Sequence, residues 1–126
     1  MTRDQILANL NDINAQISTE INHIIIGLVE EKLVKLSSLM GTSAECLRYA
    51  KLAVGKRQQV LMNTEKAAGM QPSVLKMWIE GEMAEEIAIY TFADRVNAAI
   101  VHCSDSLRTV ISKYKEELRI GSQNQV

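Results

Sequence analysis

The chain of 126 residues is 47% hydrophobic and 23% charged, a balance that suits one folded domain with a real core and excludes wholesale disorder. Its formal net charge of −1 supplies no general attraction to nucleic acid or an anionic membrane, so any such binding needs a local patch. One proline, six glycines and few aromatics argue against a many-stranded sheet, and the expected class is all-α, built from a few long helices.

The first expected helix runs from about Arg3 to Met40. Ile6, Leu10, Ile13, Ile17, Ile21, Ile24 and Leu28 form its stripe, with a four-residue stutter between Ile17 and Ile21. Gly27 is its only weak point. Gly41 then fits the position just past a helix end, and Thr42-Ser43-Ala44-Glu45 reads as a capping box that opens the next helix. That second helix extends from about Ser43 to Ala68, with a buried line of Leu47, Ala50, Val54, Leu61 and Ala68, widened by Cys46, Ala53, Val60 and Ala67. Its small side chains suit close approach by neighbouring helices.

After the turn Gly69-Met70-Gln71-Pro72, a third helix is expected from Ser73 to Arg119. Tyr90, Ala93, Asn97, Ile100, Ser104, Leu107, Ile111, Tyr114 and Leu118 recur at alternating steps of three and four, a seam of coiled-coil type. Residues 1–120 form one domain in this reading, and the apolar-poor segment 121–126 forms a flexible tail.

Short turns make neighbouring helices antiparallel, so the first lies parallel to the third, with Gly27 near the level of Glu86. The shorter middle helix then leaves two apolar ends uncovered: Ile6, Leu10 and Ile13 at one, and Ile100, Leu107, Ile111, Tyr114 and Leu118 at the other, with Ser104 a polar residue of the same interface. Two remedies exist. The long helix can break near Ser104 and fold back as a fourth, or copies of the chain can cover each other in a homo-oligomer.

Arg57 falls on the apolar face of the middle helix, where a guanidinium needs an anion. Level-matching across the turn offers Glu86 or Glu82 as the partner of a buried pair. Alternatively Arg57, with Arg48, Lys51 and Lys56, grips the phosphate or carboxylate of a small anionic ligand such as a nucleotide, and Tyr49 stacks its base. The same basic helix could hold nucleic acid, a reading that the overall charge disfavours.

Glu82, Glu85 and Glu86, preceded by Glu80, share the Glu-x-x-Glu-Glu spacing with which all-α nucleotide hydrolases hold magnesium. The second acidic pair that such a site requires has only Glu30-Glu31 or Asp94 as candidates. Glu20 and His23 have the spacing of a di-iron motif but no second copy, and His102 with Asp105 reads as a surface hydrogen bond.

Cys46 and Cys103 lack metal-ligand spacing, and Ile24-Ile25-Ile26 is far too short to span a membrane. With no apolar leader at its start, the chain is expected in the cytoplasm, its thiols free. The leading expectation is a non-enzymatic helical protein that binds itself and either scaffolds or sequesters a small anion, without a cofactor. A magnesium-dependent hydrolase is the alternative.

Overall fold

The structure is a computed structural model that describes residues 1–123. Every regular element among them is an α-helix, so the all-α class holds: α1 Arg3–Ser18, α2 Ile26–Met62, α3 Glu65–Ala68, α4 Pro72–Glu82 and α5 Ala84–Gln123. The core is built by α1, α2 and α5, each of which touches the other two.

α1 opens on a capping box in which the Thr2 hydroxyl accepts from the Gln5 N–H and the Gln5 side chain accepts from the Thr2 N–H. It ends at Ser18, not at Met40. Thr19 is extended, the Asn22 carboxamide accepts from the Ile24 N–H in an Asx turn, and the β-branched run Ile24-Ile25-Ile26 has little helical preference. The ammonium of Lys32 then donates to the carbonyls of Ile17 and Thr19, at 3.0 and 2.8 Å, and so caps the end of α1 from the helix that follows.

This break reverses the chain. Met1 comes back beside Cys46, with their sulfur atoms 3.9 Å apart, so α1 runs antiparallel to α2. Arg3 pairs with Glu85, which places the start of α1, not Gly27, level with the start of α5. Ile6, Leu10 and Ile13 are buried in the core and do not overhang it.

α2 continues through Gly41 without a break. Val29, Leu36, Ser43 and Ala50 are buried at seven-residue steps, with Cys46 between the last two, so the buried stripe passes the glycine in phase. Packing against α5 outweighs the local stop signal, and no glycine adopts the positive φ that the expected cap requires. At its far end α2 stops at Met62, and Thr64 starts the short α3 by accepting from the Ala67 N–H.

The expected third helix is bent rather than straight. Pro72 occupies the first turn of α4, and the chain leaves helical geometry only at Met83, where hydrogen bonds from Met83 N–H to Ile79 and from Ile87 N–H to Met83 carry on across the bend. Burial of Ile79 and Met83 against Leu61 holds that angle. From Ala84 the helix is continuous, with no break near Ser104, and Gly121–Gln123 remain helical. The remainder of the expected tail, residues 124–126, lies outside the described residues.

α2 and α5, of 37 and 40 residues, are about 56 and 60 Å long. They run antiparallel: Ser43 meets Asn97 and Arg57 meets Glu86. α1 covers only part of this pair, while α3 and α4 close one end around a second small core of Leu61, Ile79 and Met83.

Candidate functional site

Beyond the start of α1, the groove between α2 and α5 is no longer filled. A cleft of about 310 Å³ opens there. Ile6, Ala50, Ala53 and Ile89 form its apolar floor, and Arg3, Tyr49, Lys56 and Glu86 stand around it. Tyr49 is held from outside by the Arg48 guanidinium, 4.4 Å from its ring centroid.

The five residues expected to bind an anion are therefore divided. Tyr49 and Lys56 line the cleft, while Arg48 and Lys51 flank Gly55 on the outer face of α2, a face that Lys56 also reaches. Arg57 is not buried. Its side chain is 41% exposed and its Nε lies 4.0 Å from the Glu86 carboxylate, so the expected partner is correct but the pair is open to water. α1 begins at Arg3, level with Glu85, so no third long helix extends over the pair.

The three glutamates expected to bind magnesium do not converge. Glu82 ends α4, Glu85 pairs with Arg3 and Glu86 faces Arg57, and among the described residues no three acidic, histidine or cysteine side chains are placed to hold a metal ion. Glu20 and His23 fall in the loop before α2, so their helical spacing is lost. Asp105 accepts from Arg108 at 2.9 Å.

The seam of α5 behaves differently along its length. Ile100, Ser104 and Leu107, expected at a subunit interface, are buried within the chain because α1 folds back over the core. Ile111 is half-buried, and Tyr114 and Leu118 emerge at 39% and 56% exposure, joined by Ile120. At this end Ile24, Ile26, Val110 and Tyr114 line a shallow groove. Arg119 donates to Glu116 and holds its carboxyl below the usual range.

Two buried polar groups mark the core. The Ser43 hydroxyl donates to Asn97, whereas the Ser104 hydroxyl has no partner. Burial, aided by the charge of Glu45, pushes the Cys46 thiol up and keeps it protonated. Sequence reasoning missed Lys32 as a cap and Arg3 as part of the cleft, because both depend on where α1 folds back.

No protein-family model matches the chain, and no curated protein or solved structure is significantly similar to it. Among the described residues, no helix is long and apolar enough to cross a membrane.

Proposed function

We propose that this chain is a non-enzymatic interaction protein, an α-helical bundle that associates with a second copy of itself through the emergent seam of α5. The observation that supports this is its surface. The chain exposes 8602 Å², whereas a compact monomer of its mass exposes about 6,700 Å². An elongated shape accounts for part of the difference, and large apolar side chains also stand on the surface. Among the described residues more large apolar side chains are exposed than buried.

Ile111, Tyr114 and Leu118 continue the buried register of Ile100, Ser104 and Leu107, so a coiled-coil-like contact needs only the same spacing carried onward. Two free thiols, one of them buried, suit a reducing cytoplasm. Light scattering on the purified chain tests the reading. A mass of at least twice 14.1 kDa is expected, and a folded monomer at micromolar concentration overturns it.

A further inference from the structure

We propose that the cleft at the start of α1 binds a small amphipathic anion, of the class of a medium-chain carboxylate. Its charges decide the sign of the ligand. Glu86, the carboxylate that lines the cleft, lies 4.0 Å from the Arg57 guanidinium, and Glu85 beside it in sequence pairs with Arg3. Lys56 belongs to none of the ion pairs among the described residues, yet it borders the apolar floor. A carboxylate there gains a charge-assisted hydrogen bond from the ammonium, with the Tyr49 hydroxyl in the same cleft as a second donor.

The floor decides the rest of the ligand. Ile6, Ala53 and Ile89 offer no hydrogen-bonding side chain, and the volume of about 310 Å³ is at the small end of ligand pockets. A short alkyl chain fills such a space and removes apolar surface from water, whereas a nucleotide is too polar for the floor. The proposal does not depend on self-association, since every residue it uses belongs to one chain.

Sodium octanoate titrated into the isotope-labelled full-length chain, followed by amide NMR, tests it. Saturable shifts are expected at Arg3, Tyr49, Ala53, Lys56 and Ile89, and octylammonium should bind more weakly by roughly tenfold or more. Lys56→Glu should weaken octanoate by a similar factor, while Lys51→Glu, on the outer face of α2, changes it by less than about twofold. Lys56 is exposed, so its replacement leaves the fold intact. The absence of saturable shifts at millimolar octanoate overturns the proposal. So do shifts confined to another region, or undiminished binding by Lys56→Glu. The mass measured by light scattering bears on self-association alone.

Discussion

Ser43 and Asn97 meet across the contact between the two longest helices, with the hydroxyl of Ser43 donating to the Asn97 carboxamide at 3.1 Å. Ser43 is fully buried and Asn97 half-buried, so the bond satisfies a hydroxyl that water cannot reach and an amide that it partly can. Such a pair fixes the register of α2 against α5, because a shift of either helix leaves the hydroxyl alone. Asn97→Leu should therefore lower stability by about 1 to 3 kcal/mol, the cost of an orphaned buried donor. Adding Ser43→Ala should recover part of it, as urea denaturation of the two single variants and the double variant will show.

Arg57→Ala should cost less than about 1 kcal/mol, since exposed ion pairs seldom contribute more. The helical wheel of α2 alone predicts a much larger loss, of about 3 to 5 kcal/mol for one half of a buried pair. Thermal melts separate the two, and a drop of many degrees would mean that the pair is shielded from water rather than open to it.

The seam of α5 should divide into two classes of variant. Leu107→Glu places a charge where the leucine is 1% exposed, and it should unfold the chain. Tyr114→Glu with Leu118→Glu alters exposed positions, and it should yield a helical monomer of 14.1 kDa by light scattering with little loss of circular dichroism. Loss of helicity in the second variant would mean that these side chains support the single chain itself.

Replacement of Gly41 and Gly55 by alanine should stabilise the protein by about 0.5 to 1 kcal/mol each. Both lie inside α2, and an added Cβ meets nothing within 4 Å at either. A gain in melting temperature checks this, and a loss would indicate that a second copy packs against that glycine.

Cys46 should resist alkylation until the chain unfolds, while the less buried Cys103 reacts first. The folded Cys46 thiol holds its proton to a higher pH than the unfolded one. Its contribution is complete below the ordinary thiol range and is lost as the pH climbs through the folded value. Between about pH 7 and pH 10 wild type should lose more stability than Cys46→Ala does. Equal slopes would remove the thiol from the account.

The legible parts of this fold were the ones written as period. The steps of three and four in α5 mark Ala93, Ile100, Ser104 and Leu107 as one apolar seam, and each is buried, though inside the chain rather than between copies. Punctuation was less reliable. Gly41 before Thr42 reads as a boundary, yet the helix passes through it, since Leu36, Ser43 and Ala50 present one continuous stripe to α5. The true break rests on Asn22, on three isoleucines and on a lysine that caps from the next helix, none of which disturbs a helical stripe on paper. Because that break decides where α1 lies, it also decides the cleft, and Arg3 could not be assigned to it from the sequence.

The bend at Met83 gives this protein a second, smaller core at the closed end of its long helices, separate from the cluster around Leu10, Leu36 and Ile100. The only tryptophan, Trp78, packs against that smaller core, with the Lys66 ammonium 5.2 Å from its ring. Its fluorescence thus reports on the tip, whereas circular dichroism reports on the shafts of α2 and α5. Few large side chains hold the tip, so its amides should exchange with deuterium through local opening long before those near Leu36 and Ile100 do. An unfolding curve followed by fluorescence alone would then describe the fraying of one end and understate the stability of the whole.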